Sequence, residues 1–203
     1  MTLNRPALIC LASLSVLAGC ATNPLEAQWS DPQLTANAPL KGARVLVVCE
    51  AQDEVLRRIC QDRVGAELTQ VGVTPVAAPD VGASTSAPGG PAPYVNAARA
   101  ANAKAVLVTS IAAGPSVARS GFSVGLGVGG FGGGVGGGVG VSAPIGGTRV
   151  ATSYAANASL TDVASGRLMW TARASEPASE VTSAQVANLA KKVVQGAGQS
   201  KLY

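Results

Sequence analysis

The stretch RVLVVC, residues 44–49, followed at once by EAQDEVLRRICQDRVGAELTQVG, residues 50–72, decides the fold. A short run of β-branched and aliphatic residues bounded by polar ones is the pattern of a strand covered on both faces. The period then changes. Leu56, Ile59, Cys60, Val64, Leu68 and Val71 recur at spacings of three and four and share one helical stripe, while Arg57, Arg58, Asp62, Arg63 and Glu67 mostly take the wet side. Asp53 is placed to cap this helix and Gly72 to close it. Val73 to Ala77 reads as a second, shorter strand, pushed toward a sheet edge by Pro75.

Toward the C-terminus, residues 78–93 are rich in Ala, Ser, Pro and Gly and read as a loop. Tyr94 to Ala103 follows as an Ala-rich helix, and Ala105 to Ile111 as a third strand. Ser120 to Gly147 is low-complexity. Phe122, Val124, Leu126 and Val128 alternate with Gly or Ser, and Val135, Val139 and Val141 continue on odd numbers. That alternation has the strand period, although Gly weakens strand interiors, so a long hairpin and an unstructured loop both fit. We expect a conditional hairpin that orders when it packs on a partner. Arg149 to Asp162 alternates again, Ala164-Ser165-Gly166 is a turn, and Leu168, Trp170, Ala172 and Ala174 mark the return strand, which Glu176 and Pro177 end. A closing helix from Thr182 to about Val194 buries Val186, Leu189, Ala190 and Val193. The expected fold is therefore α/β (α+β). It is a single domain over residues 43–203, with a mixed β-sheet flanked by helices in the order β-α-β-α-β-(Gly-rich hairpin)-β-β-α and the Gly-rich insert at 120–147.

Toward the N-terminus, Arg5 precedes an apolar run from Pro6 to Leu17, broken only by Cys10, Ser13 and Ser15. A basic start, a short apolar middle and small residues at the end describe a secretory signal peptide, residues 1–19. The run has about 12 residues, too short to span a bilayer, which needs roughly 20. It ends in Leu17-Ala18-Gly19-Cys20, which resembles the lipobox of bacterial lipoproteins. That resemblance implies that Cys20 receives a diacylglyceryl thioether, becomes the first residue of the mature chain and is acylated on its amine. Several acyl chains make a firm anchor, since each buried CH₂ contributes about 0.8 kcal/mol. In that family the residue after the Cys directs sorting, and Ala21-Thr22 implies the outer membrane. Residues 20–42, with Asn23, Pro24, Pro32, Asn37 and Pro39, read as a lipidated tether from membrane to domain, and Trp29 either docks on the domain or stands exposed.

The 203-residue chain carries a net charge of +4, and loss of Arg5 with the leader leaves +3 from Cys20 onward. The excess is weak and scattered, so we read neither nucleic-acid nor nucleotide binding from it. Apolar residues make up 47% but aromatics only 3%, so Ala, Val and Gly must fill the core. His is absent, which removes His metal sites and Ser-His or Cys-His catalysis. Gly125-x-Gly127-x-x-Gly130 matches the dinucleotide fingerprint only formally, because more Gly follows it rather than a helix, and the next acid is Asp162. Asp53, Glu54, Asp62 and Glu67 occupy the wet side of the first helix, and Asp162 a turn. We therefore expect no catalytic residues, no cofactor and no metal. Cys49 and Cys60 are the thiols left once Cys20 is lipidated and the leader is gone. One ends a strand and the other sits two turns into the helix folding back on it. Outside the inner membrane this favours a disulfide over two buried free thiols.

RVLVV with its helix, then AKAVLVTSI, a Gly-rich insert and LTDVASGRLMW before a closing helix, resembles small α/β outer-membrane lipoproteins of Gram-negative bacteria. These include a lipoprotein family built on a domain of unknown function and, more distantly, the curli-secretion channel and exopolysaccharide-export lipoproteins. The likeness covers roughly residues 43–195, and Leu160 to Trp170 is its most specific part. It implies a non-enzymatic outer-membrane lipoprotein, anchored by its N-terminal lipid with the domain in the periplasm, that binds or supports an envelope protein partner. The alternative is a subunit of an oligomeric secretion or export assembly that self-associates.

Overall fold

A computed structural model describes residues 25–34, 39–78, 92–119 and 149–203. The strands are β1 (Ala27–Ser30), β2 (Arg44–Glu50), β3 (Thr74–Ala77), β4 (Ala105–Arg119), β5 (Arg149–Asp162) and β6 (Leu168–Ser179). The helices are α1 (Glu54–Gln70), α2 (Ala92–Ala100) and α3 (Thr182–Gln199). The strands form one mixed sheet in the order β1-β6-β5-β4-β2-β3. β2 runs parallel to β3 and β4, and the pairs β4–β5, β5–β6 and β6–β1 are antiparallel. The α/β class, the mixed sheet and the flanking helices are those expected from the sequence.

The alternation of β2 explains the layering. Val45, Val47 and Cys49 face α1 and α3, while Leu46 and Val48 face Tyr94 and Ala98 of α2. Burial on both faces is why the run reads as continuously apolar. Farther along the sheet, Leu107, Leu160 and Trp170 join Val186, Leu189 and Val193 of α3 in the larger core. α1 presents Cys60, Val64 and Leu68 to that core, with Leu56 and Ile59 half-buried beside them; Val71, assigned to the same stripe, is exposed at the helix end. Asp53 accepts a hydrogen bond from the Leu56 amide at 3.0 Å, and Gly72 ends α1 at φ +79°. Pro75 does lie in an edge strand.

Several boundaries differ from the sequence reading. α2 spans Ala92–Ala100 rather than Tyr94 to Ala103, and β3 starts at Thr74 rather than Val73. Residues 27–30, read as tether, form β1 and pair with Trp170 to Arg173. Four residues are too few to show a period, and the strand is held by its flanks. The Glu26 amide donates to the Arg173 carbonyl and the Asp31 amide to the Met169 carbonyl, each at 2.9 Å. β4 continues past Ile111 through Gly114 and Pro115 to Arg119. It absorbs them in a bulge between Ala113 and Ser116, where a Cβ on Gly114 would lie 2.6 Å from the Ser153 Oγ. β6 runs through Glu176 and Pro177 to Ser179 because Glu176 is satisfied inside, by Lys192 Nζ at 2.6 Å and Asn188 Nδ2 at 3.1 Å. α3 extends to Gln199, where Ala197 is buried and Tyr203 packs beside the helix. The reading of residues 120–147 as a conditional hairpin lies outside the described residues.

Candidate functional site

The anchor candidate, Cys20, lies outside the described residues, but its attachment to the domain is visible five residues later. Leu25 is 6% exposed and belongs to the main core. It seats on Gly196 of α3 so closely that a Cβ there would stand 2.1 Å from Leu25 Cδ1 and 2.9 Å from Cγ. Charged contacts flank this plug. Glu26 pairs with Arg173 at 3.2 Å and accepts a hydrogen bond from Ser175 Oγ, and Asp31 pairs with Arg167 at 2.5 Å. Downstream the chain is tied again, where Leu40 is fully buried, its amide donates to the Leu202 carbonyl at 2.9 Å, and Lys104 Nζ donates to the Pro39 carbonyl at 2.7 Å. The segment read as tether is thus clasped across the C-terminal helix and the last strand. Sequence reasoning missed Leu25 and Gly196; the QGAGQ ending of α3, with two Gly in a helix, was the available signal.

Cys49 and Cys60 are joined as a disulfide, with their Cα atoms 6.0 Å apart. The bond ties the end of β2 to the second turn of α1 on the core side of the sheet. Three of the five carboxylates weighed as candidate chemistry have structural work. Asp53 caps α1. Glu54 pairs with Arg57 and Arg58, and its hydrogen bond with Arg57 holds its carboxyl below the ordinary value. Asp162 accepts from the Ser165 amide at 2.8 Å and from its hydroxyl at 2.6 Å, closing the turn at Gly166.

One polar cluster was not anticipated. Glu50, at the end of β2, accepts hydrogen bonds from Tyr94 Oη at 3.0 Å and Ser110 Oγ at 2.5 Å. Burial, and then the bond to Glu50, push the Tyr94 phenol up. The cluster locks α2 to the junction of β2 and β4, with a single carboxylate already satisfied by two donors. Among the described residues there is no group of three or more His, Cys, Asp or Glu able to hold a metal. No helix among them is long and apolar enough to cross a membrane. An open groove between α1 and β3 is lined by Arg58, Gln61, Asp62 and Pro75. Gln61 is engaged there, donating to the carbonyls of Val47 and Ala78 at 3.2 and 3.4 Å.

No protein-family profile matches the chain, and no curated protein sequence does. Solved structures do. The PelC dodecamer from Paraburkholderia phytofirmans matches at 15% identity and a TM-score of 0.50, over 84% of this chain and 94% of that one. A point variant of the same dodecamer matches at 16% identity and 0.49, over 84% of this chain and 96% of that one. Lipoprotein GNA1162 from Neisseria meningitidis matches at 17% and 0.42, over 77% of this chain and 99% of that one. At 15% identity the likeness to the PelC subunit is one of fold.

Proposed function

We propose that this chain is a lipid-anchored lipoprotein of the Gram-negative envelope, attached through Cys20 to the outer membrane. Its α/β domain faces the periplasm and binds or supports another envelope component without catalysing a reaction. The observation that carries this reading is the continuity of LAGC with a built attachment: five residues after the candidate lipid site, Leu25 is plugged into the core. An anchor that pulls on a buried side chain transmits position as well as proximity. A second reading, a subunit of an oligomeric export assembly, is favoured by the fold shared with a protein that forms a dodecamer. Membrane fractionation with labelled palmitate and in-membrane cross-linking tests both. Label in the outer-membrane fraction with one cross-linked partner supports the first reading, and a ladder ending at a discrete oligomer supports the second. An unlabelled protein in the soluble periplasm refutes both.

A further inference from the structure

Among the described residues β1 is the outer strand on one side of the sheet, and all four of its residues are exposed. The Asp31 amide donates to the Met169 carbonyl, so in the antiparallel register Trp29 exchanges hydrogen bonds with Thr171, and Ala27 with Arg173. Gln28 and Ser30, between them, turn their amides and carbonyls away from β6. The side chains divide differently. Gln28 and Ser30 lie opposite Ala172 and Trp170 on the core face, where Gln28 Oε1 accepts from Ser200 Oγ at 3.4 Å. Trp29 stands on the other face of the sheet and is 47% exposed. At both ends the chain leaves this edge toward the core. Leu25 enters the core before β1, and after it a turn closed by the Leu34 amide on the Asp31 carbonyl brings Leu34 against the same core.

An outer strand with outward backbone groups is a template for another strand. The opposite edge, β3, carries Pro75, whereas residues 25–31 contain no proline, and Pro24 and Pro32 bracket them. The segment is also complementary to itself. With a second copy antiparallel and Trp29 at the two-fold axis, Gln28 of each copy faces Ser30 of the other as a hydrogen-bonded pair. Ala27 then faces Asp31, so no like charges meet directly. The two Trp29 side chains come together as a direct cross-strand pair, which suits an aromatic contact.

We propose that β1 is a dimerisation edge: a second copy of this chain pairs through its own β1, and the two six-stranded sheets become one across a two-fold axis. The pairing requires neither the lipid anchor nor an export assembly. Four residues a side make a contact of the weak class, below about 1,200 Å². Residue-level hydrogen exchange on the full chain in excess mild detergent, from micromolar to about 1 mM protein, tests it. The Gln28 and Ser30 amides should exchange freely when dilute. They should slow about tenfold once about nine-tenths of the chains are paired, because exchange then needs the edge to open. The Trp29 amide, already bonded to β6, should change little. Ser30→Pro removes an outward amide and no bond to β6, so the concentration-dependent protection at Gln28 should vanish while the melting temperature holds. Trp29→Thr keeps the ladder and a strand-forming residue, and should weaken association by about two- to tenfold; it serves also where Ser30→Pro fails to fold. Free exchange at Gln28 and Ser30 at every concentration overturns the proposal. Slow exchange already in the dilute protein means that the edge is filled from within the chain, which also overturns it. Pairing that survives Ser30→Pro, or is indifferent to Trp29→Thr, places the contact elsewhere and overturns it as well.

Discussion

Gly196→Ala probes the plug that seats Leu25 against α3. In an ordinary helix the change helps, by up to about 1 kcal/mol. Here the added methyl would sit 2.1 Å from Leu25 Cδ1, so Leu25 must leave its seat. Burying a Leu side chain is worth about 1.5–3 kcal/mol, so the net effect is a loss of roughly 1–2 kcal/mol. For a domain of this size that lowers the melting temperature by about 2–8 °C. Leu25→Ala alone should cost about 2 kcal/mol, the low end for a buried Leu because the site is at the sheet margin. The decisive comparison is the double variant. Once Leu25 is trimmed the clash is gone, and Gly196→Ala should become neutral or stabilising. Thermal unfolding followed by circular dichroism on the four proteins measures this. If Gly196→Ala costs the same in both backgrounds, or stabilises the parent, the plug does not exist as described.

Three further outcomes are expected. Cys60→Ser opens a loop with a sequence separation of 11 and should cost about 3 kcal/mol; non-reducing peptide mapping should show Cys49 joined to Cys60, and two alkylatable thiols in the native protein would contradict the bridge. Burial pushes the Tyr203 phenol well above its ordinary 10.0. Above pH 10 the unfolded chain releases that proton while the folded chain keeps it, so stability should fall by about 1.4 kcal/mol per pH unit, and Tyr203→Phe should flatten the alkaline limb; an unchanged slope refutes the assignment. Cys20→Ser should abolish palmitate incorporation and leave unprocessed precursor, and undiminished labelling would sink the lipid-site reading.

The legible part of the fold is the part whose period is enforced by burial. Val45 to Cys49 is apolar on both faces because helices cover both, and the Asp162–Gly166 turn declares itself because Asp162 must accept from Ser165. Local signals failed where a distant partner decides the outcome. Glu176 and Pro177 read as a strand end, yet Lys192 and Asn188 from α3 keep the carboxylate satisfied and the strand going. The closing helix read as ending at about Val194, yet it runs on to Gln199, with Gly196 seating Leu25 from about 170 residues earlier in the chain. β1 had no signal because its strand character comes from the edge that β6 offers it. The anchor candidate was readable as a motif, whereas the distance between anchor and domain was not.

The three prolines that fall inside strands among the described residues share a setting. Pro75 is in β3, at one margin of the sheet. Pro115 is in β4 beyond Ser110, where pairing with β2 stops, and Pro177 is in β6 beyond Arg173, where pairing with β1 stops. Each of these three stretches contains a residue with no amide hydrogen to offer, and β4 adds its bulge at the same place, while the outer edge of β1 is only four residues long. A neighbouring chain cannot extend this sheet by a continuous ladder at any of these stretches. Along these stretches that is a guard against runaway strand-to-strand polymerisation. It leaves the short edge of β1 and side-chain surfaces such as the α1–β3 groove with Arg58 and Asp62 as the places open to ordered association between copies.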